Sequence, residues 1–169
     1  MSSATELQDK VRARLQENPS AMTMMLAKEL EVPEVDILRA FPEDRVTELD
    51  LSRWEDILRK LEAFGKVHVI VSNGAATIEA IGTFGGFSTW GQFFNVQSKS
   101  LDMHIRYENL SAIFAVEKPS HMSGINTLSL QFYDTNGHSA FKVFFTFGNS
   151  EPKAEVVAQF DELRTSFRK

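Results

Sequence analysis

Apolar residues recur every four positions near the start of the chain, a spacing that predicts a helix. Leu7, Val11 and Leu15 stand between charged residues and would form one apolar stripe on a helix from about residue 4 to residue 17. The polar sequence Asn18-Pro19-Ser20 follows directly and would end that helix. The chain is therefore expected to open with one amphipathic helix.

Residues 20–41 continue the helical pattern, but Pro33 interrupts it. Proline fits the first turn of a helix and not its interior, so we expect two short helices that meet near this residue. A fourth helix is predicted to start at Ser52, because Ser52 and Glu55 have the spacing of a capping box. It would end near Gly65, since glycine commonly follows the last turn of a helix.

From Gly65 onward, apolar and polar residues alternate, which predicts strands. Segments 66–72 and 75–81 flank Asn73-Gly74, and Asn-Gly between two β-rich segments indicates a two-residue hairpin. A second Asn-Gly, at residues 136–137, lies between two further alternating segments. We expect six or seven antiparallel strands, six of them at residues 66–72, 75–81, 101–107, 110–117, 127–133 and 140–147.

The chain should close with a helix that begins around residues 150–152. Val156, Phe160 and Leu163 would line one side of it. Helices followed by a run of strands and a final helix predict an α+β fold with a large antiparallel sheet. We expect a single domain over residues 1–169, with a helical N-terminal part at 1–64, the sheet at 65–148 and the C-terminal helix at 150–169.

The aromatic composition means that the sheet must bury a large apolar surface. The chain contains 14 phenylalanines and only two tyrosines, so it must cover much apolar surface with few hydroxyl groups. Phe144 and Phe145 are adjacent in a predicted strand and must point to opposite sides of it. Each side therefore needs a cover, which could be the other helices, a second subunit or a ligand.

The charge balance argues against nucleic acid as a partner. Acidic residues outnumber basic ones by 23 to 18, and the net charge of −5 opposes a phosphate backbone. A helix-turn-helix regulator stays a minor alternative, because the predicted helix at 33–40 carries Glu34, Asp36 and only Arg39 as a base. No apolar run of about 18 residues could span a membrane, and residues 1–20 mix charges throughout. We expect a soluble protein that is not exported and binds no membrane.

Cysteine is absent, which narrows the chemistry of any metal site. Without a thiolate, the metal ligands have to be histidine, methionine, tyrosine or carboxylate. The four histidines include no pair at the close spacing of a helical metal site. The sequence also contains none of the motifs G-x-S-x-G, G-x-x-x-x-G-K-[ST] or H-E-x-x-H. No catalytic residue is predicted.

Residues 83–107 combine aromatic residues, glycines and a histidine more densely than any other stretch. Two interpretations fit this composition: the aromatic side chains plug the core beneath a long connection, or they form a pocket for a flat apolar ligand with a metal centre. The residues concerned are Phe84, Phe87, Trp90, Phe93 and Phe94, with Gly85, Gly86 and Gly91 between them.

Two histidines lie in predicted strands and are candidate metal ligands. Alternation places His104 and Arg106 on one side of a strand and Met103 and Ile105 on the other. An imidazole can bind haem iron axially, and a guanidinium two residues away can pair with a carboxylate. His68 lies in a second alternating strand. Each histidine, taken alone, is also explained as an ordinary surface residue.

The glycine and aromatic positions carry a resemblance to a known family. Residues 84–95 read F-G-G-x(4)-G-x-F-F-N, and His104-Ile105 follows about ten residues later. This pattern resembles the HutX/ChuX/HuvX group of cytosolic haem-utilisation carriers. The similarity covers nearly the whole chain and includes GKVHVIV at 65–71, AFKVFF at 140–145 and LAKELEVPEVDILRAF at 26–41.

The resemblance implies a cytoplasmic carrier that binds haem b as cargo and passes it to a downstream haem-processing protein. It also implies a homodimer built on a large curved antiparallel sheet. A haem-degrading enzyme of a related fold is the alternative. The residues expected to contact haem are His104 as iron ligand, His68 as the second candidate, Arg106 or Lys142 near the propionates, and Trp90, Phe93, Phe94, Gly85, Gly86 and Gly91 around the ring.

The sequence departs from that group at several positions near the expected site. Met103 stands where a glycine often precedes the histidine, and Phe84 stands where a proline commonly precedes the two glycines. Some relatives use a tyrosine near the G-x-F-N segment as iron ligand, and this chain has none there. A tyrosinate would have to come from Tyr107 or Tyr133, so the identity of the axial ligand stays open.

Overall fold

The structure is a computed structural model, and it describes residues 3–169. Within that range the helices are α1 Ala4–Glu17, α2 Thr23–Leu30, α3 Glu34–Ala40, α4 Trp54–Lys60 and α5 Ala154–Ser166. The strands are β1 Val46–Leu49, β2 Lys66–Ser72, β3 Thr77–Thr83, β4 Phe87–Trp90, β5 Phe93–Gln97, β6 Asp102–Arg106, β7 Leu110–Pro119, β8 Asn126–Asp134 and β9 Ser139–Phe144. None of the helices formed by these residues is both long and apolar enough to cross a membrane.

The strands form two antiparallel sheets, which confirms the predicted α+β class. The larger sheet has six strands in the order β1-β7-β8-β9-β2-β3, and β4-β5-β6 form the smaller one. Between neighbouring strands the register is regular, apart from two irregularities, where β8 pairs with β7 and with β9. Because side chains alternate along each strand, every sheet presents two sides of different composition.

One side of the six-stranded sheet, the core side, packs against the three-stranded sheet, α4 and α5. Val67, Val69 and Val143 from the large sheet share a single buried cluster with Val96 and Ile105 from the small sheet. Burial of these side chains is the main stabilising contribution, at roughly 1.5 to 3 kcal/mol for each large apolar residue. The small sheet therefore has an inner side in the core and an outer side that faces away from it.

The opposite side of the six-stranded sheet, the helix side, carries the N-terminal helices. Phe114, Val116 and Tyr133 on this side form a second buried cluster with residues of α1, α2 and α3 such as Val11 and Ile37. The cover extends mainly over β1, β7 and β8. Farther along the sheet, the side chains of β2 and β3 become partly or largely exposed.

Several boundaries differ from the sequence prediction for physical reasons. Residues 1–64 are not all helical, because β1 pairs with β7 inside that stretch. At four residues, β1 is too short to show a period. Among residues 3–169 there are nine strands and not the expected six or seven, because β1, β4 and β5 add to the six segments that were predicted. The predicted capping box at Ser52 is replaced by Asp50, whose carboxylate accepts a hydrogen bond from the Ser52 amide.

The first Asn-Gly hairpin is present, with a longer turn than predicted. Asn73 Oδ1 accepts hydrogen bonds from the amides of Ala75 and Ala76, each at 2.9 Å. Gly74 has φ +86°, which only glycine adopts without strain. β3 consequently starts at Thr77, because the asparagine side chain holds the two preceding residues in the turn.

The second helix of the pair α2–α3 packs into the core and exposes little of its surface. In α3, Val35, Ile37 and Leu38 are buried in the core, and Glu34 is buried as well. Arg39 is exposed, but it contacts the Glu48 carboxylate at 3.2 Å. A recognition helix needs a row of exposed polar and basic side chains, and α3 does not present one.

Candidate functional site

Six side chains on the outer side of the three-stranded sheet form the candidate site. The strand register places Trp90, Phe93 and Arg106 in one row across the sheet. Ser88, Asn95 and His104 form the next row. We call these six residues the His104 surface. It gathers four of the residues that the sequence selected, and it adds Ser88 and Asn95, to which the sequence analysis had assigned no contact.

His104 is exposed and anchored at one ring nitrogen. Its Nδ1 lies 2.7 Å from Asn95 Oδ1, while its side chain remains 55% exposed. Asp102 Oδ1 lies 3.5 Å from the other nitrogen, Nε2, beyond the usual length of a strong hydrogen bond. Nδ1 is therefore occupied, whereas Nε2 makes only this long contact, and an imidazole nitrogen is a common ligand of iron.

An aromatic and a cationic group lie beside this ring. Phe93 meets the His104 ring edge-on, with 6.4 Å between ring centroids. The Arg106 guanidinium carbon sits 5.3 Å from the centre of the Phe93 ring, within cation–π range. Trp90 continues the row and is 77% exposed, which is unusual for so large an apolar side chain. A flat ligand with a metal centre and acidic groups would match these three kinds of contact.

Phe94 does not belong to this surface. It points to the inner side of the small sheet, where it is fully buried. Its ring packs edge-on against Trp54 at 5.5 Å. Phe93 and Phe94 are adjacent, so strand alternation sends them to opposite sides, and only Phe93 can reach an external ligand.

Gly85 and Gly86 lie close to other parts of the chain, whereas Gly91 has open space around it. A Cβ atom on Gly85 would collide with the Glu62 carboxylate, and one on Gly86 would collide with the carbonyl oxygen of Gln97. Gly86 and Gly91 also have positive φ angles of +69° and +57°. Gly86 and Gly91 therefore require glycine, whereas at Gly85 the flexible Glu62 side chain could move aside.

His68 occupies a different side of the molecule. It lies on the helix side of the six-stranded sheet, where its Nε2 is 3.4 Å from Glu79 Oε1. Its ring is nearly parallel to that of Phe147, at 6.5 Å, and its side chain is 23% exposed. Val67 and Ile105, the neighbours of the two histidines, point into one shared core. His68 and His104 therefore project away from that core and cannot bind the same iron within one chain.

Of the two tyrosines, Tyr133 offers no accessible phenolate, and the ring of Tyr107 is partly buried against the core. Tyr133 is fully buried under the N-terminal helices, and its hydroxyl donates a hydrogen bond to Gln131 Oε1 at 2.8 Å. Burial, reinforced by the nearby Glu34 carboxylate, raises the pKa of Tyr133 well above its ordinary value. Tyr107 stacks on Trp54 with 4.5 Å between the rings.

Lys142, the second cation expected near the propionates, is engaged elsewhere. Its ammonium donates a hydrogen bond to Glu34 Oε1 at 2.7 Å, and Thr23 Oγ1 donates to the same oxygen at 2.6 Å. These groups lie between the helix side of the large sheet and the N-terminal helices. Arg106 is therefore the expected cation that the structure places beside His104.

A match to a known family covers most of the chain. Residues 47–163 fit the family model described as haem utilisation ChuX/HutX. The chain belongs to this family. A curated relative, the intracellular heme transport protein HutX of Vibrio cholerae, is 28% identical over 163 residues, which cover 94% of this chain and 82% of the relative.

Solved structures share the fold. The heme binding protein ChuX superposes with a TM-score of 0.82 at 20% identity, covering 95% of this chain and 97% of that one. The heme degrading enzyme ChuS of Escherichia coli O157:H7 gives a TM-score of 0.80 at 20% identity. That match covers 99% of this chain but 48% of ChuS. At these identities, the likeness concerns the fold alone.

Proposed function

We propose that this protein binds haem b as cargo on the His104 surface, keeps it sequestered during haem uptake, and passes it to a downstream haem-processing protein. The observation that carries the proposal is an exposed imidazole whose Nδ1 is anchored, next to an exposed indole and a guanidinium. Family membership and the name of the relative HutX support the same reading.

Each part of haem finds a matching group on this surface. His104 Nε2 would bind the iron, the rings of Trp90 and Phe93 would cover part of the apolar macrocycle, and Arg106 would face a propionate. The site is open to one side, and one imidazole supplies the protein ligand. A carrier must release its cargo, and one axial bond on an open surface permits faster release than two bonds in a closed pocket.

We also propose that the protein works in the cytoplasm as a homodimer. HutX is named as an intracellular protein, which supports the compartment. Exposed apolar side chains support a second subunit: Ile78 is 71% exposed and Ile81 50% exposed on β3, which is an edge strand of the large sheet. Exposed apolar groups on an edge strand favour contact with another chain. Sedimentation equilibrium would test this assembly.

Titration with haemin tests the proposed function directly. We expect a saturable change of the Soret band at about one haem per chain, and no such change would refute haem binding. Adding a reductant and oxygen then separates a carrier from the alternative, a haem-degrading enzyme. A carrier keeps its Soret band, whereas steady loss of the band with release of iron, resistant to catalase, would identify degradation.

A further inference from the structure

We propose that Asn95 is a positioning residue for His104: its side-chain amide selects the ring tautomer that leaves Nε2 free for iron, and Ser88 holds that amide in place. This inference rests on the proposed function for its haem-binding consequence. Its structural part concerns the protein without ligand and can be tested separately.

The three residues occupy one row across the small sheet. Asn95 lies on the central strand β5, with Ser88 beside it on β4 and His104 beside it on β6. Asn95 is only 7% exposed, although it sits on the outer side of the sheet. A buried amide costs free energy unless its groups are hydrogen-bonded, so its partners define its role.

Both ends of the Asn95 amide have a partner. Nδ2 donates to Ser88 Oγ at 3.2 Å, and Oδ1 faces His104 Nδ1 at 2.7 Å. A carbonyl oxygen only accepts hydrogen bonds, so the proton of this contact must come from Nδ1. A neutral imidazole carries one N–H, and with that proton on Nδ1 the lone pair is on Nε2.

The 2.7 Å contact between Asn95 and His104 favours Oδ1 facing the ring over a flipped amide in which Nδ2 faces it. If Nδ2 faced the ring instead, Nδ1 would have to accept, and the proton would move to Nε2, the nitrogen that would bind iron. A separation of 2.7 Å lies in the range of N–H···O hydrogen bonds. In the reversed state Nε2–H would face Asp102 Oδ1 at 3.5 Å, which is too long for strong compensation.

An amide also suits a carrier better than a carboxylate would. A hydrogen-bond acceptor on the far nitrogen fixes the ring and makes it a better electron donor to the metal. A neutral amide provides this effect weakly, whereas a carboxylate provides it strongly and slows release of the ligand. Asn95 would thus hold His104 ready to bind while keeping the bond reversible.

The first test uses the protein without haem. Long-range nitrogen–proton NMR at alkaline pH, where imidazole is neutral, reports which ring nitrogen carries the proton. We expect the Nδ1–H form for His104 in the native chain, a mixture of both forms in Asn95→Leu, and a smaller shift toward the mixture in Ser88→Ala. An Nε2–H form in the native chain, or an unchanged tautomer in Asn95→Leu, would overturn the inference.

The second test adds haemin. Loss of an outer hydrogen-bond partner typically costs about 10- to 100-fold in metal affinity, so Asn95→Leu should bind haem about tenfold more weakly. Asn95→Asp should bind more tightly and shift the iron reduction potential downward, which a purely structural role would not produce. Thr89→Val, a polar-to-apolar change on the inner side of the same sheet, should leave both quantities unchanged.

A double-variant comparison separates the two proposals. If His104 binds iron through the tautomer that Asn95 selects, Asn95→Leu should have no further effect on haem affinity in a His104→Ala background. If His104→Ala leaves the haem complex unchanged, the proposed ligand fails, while the NMR result still decides the role of Asn95. If Asn95→Leu does not fold, the tautomer of His104 in the native chain and in Ser88→Ala still tests the positioning role of Asn95.

Discussion

The two outward-facing sides of the sheets carry similar residues and use them differently. On the helix side of the six-stranded sheet, the buried Glu34 is paired with Lys142, and the His68 side chain is only 23% exposed. On the His104 surface, the imidazole is hydrogen-bonded at Nδ1, and its side chain is 55% exposed. A histidine in an alternating strand is therefore not enough to indicate a ligand site, because its neighbours decide how far its ring is exposed.

Burial explains the difference. The helix side lies partly under α1–α3, where an unpaired charge costs several kcal/mol, so the buried Glu34 carboxylate is paired with Lys142. On the outer side of the small sheet, Arg106 and His104 are exposed, so water can solvate them until a ligand arrives. The comparison predicts that changes on the helix side alter stability and that changes on the His104 surface alter haem binding.

The largest effect is expected from breaking the buried ion pair. Lys142→Met leaves the Glu34 carboxylate buried without its cation and should lower the free energy of unfolding by about 3 to 5 kcal/mol. Urea denaturation measures this loss. The double variant Lys142→Met with Glu34→Leu should recover most of it, and an unstable double variant would contradict the assignment of the loss to the unpaired carboxylate.

Removal of the proposed iron ligand should come next. His104→Ala deletes the axial bond and should weaken haem binding by at least about tenfold, with a shifted Soret maximum. Haemin titration measures both quantities. His121→Ala, an exposed histidine on a loop, is the matched control and should bind as the native chain does. Equal affinity and spectrum for His104→Ala would remove His104 as the ligand.

Replacing Lys118 should stabilise the protein, whereas replacing Lys142 should destabilise it, although both lysines lie on the helix side. Burial, with a smaller contribution from the charge of Lys142, lowers the pKa of Lys118 to about 8. The unfolded chain then binds more protons than the folded chain between about pH 8 and 10.5, so this group adds stability as pH rises through that window.

Lys118→Met should therefore stabilise the protein at pH 7, by about 1 to 2 kcal/mol. Urea denaturation at a series of pH values measures the difference between the variant and the native chain. That difference should shrink as the pH rises from about 8 to 10.5. If the difference in free energy of unfolding does not change with pH, the charge of Lys118 does not destabilise the folded protein, which would contradict this prediction.

A smaller effect is expected from the cation on the His104 surface. Arg106→Ala should reduce haem affinity about three- to fivefold, because an exposed ion pair contributes up to about 1 kcal/mol. Arg106→Lys should retain part of the affinity. Titration with the dimethyl ester of haem, which lacks free propionates, should show no difference between native and Arg106→Ala chains.

The smallest effect should come from the other histidine. His68→Ala should change haem affinity less than about twofold, because the His68 side chain is only 23% exposed, against 55% for His104. The same haemin titration measures it. A loss as large as that of His104→Ala would mean that both sides of the molecule contribute to one site, which requires a second subunit.

Alternation allowed much of the fold to be predicted. β2 was predicted with its observed ends, 66–72, and α1 with its observed range, because both repeat a clear period. β4 and β5 were missed because glycines surround short strands and the adjacent Phe93 and Phe94 conceal the alternation. The same adjacency left Phe94 among the candidate ligand contacts, although its side chain belongs to the core.

The candidate site was predictable only in part. His104 and Arg106 share one side of one strand, so their proximity follows from the local sequence. The contact between Asn95 and His104 depends on the register between β5 and β6, which no local pattern fixes. Likewise, the pairing of Lys142 with Glu34 joins residues 108 positions apart and follows from packing of α3 on the sheet.

Paramagnetic NMR tests the central claim most directly. Ferric haem broadens the signals of nearby nuclei, and gallium protoporphyrin, which is not paramagnetic, provides the control for chemical-shift changes. If haem binds on the His104 surface, the amide signals of β4, β5 and β6 should broaden most, while those of β2 and β9 around His68 should persist. Broadening centred on β2 and β9, with β4–β6 unaffected, would contradict this account.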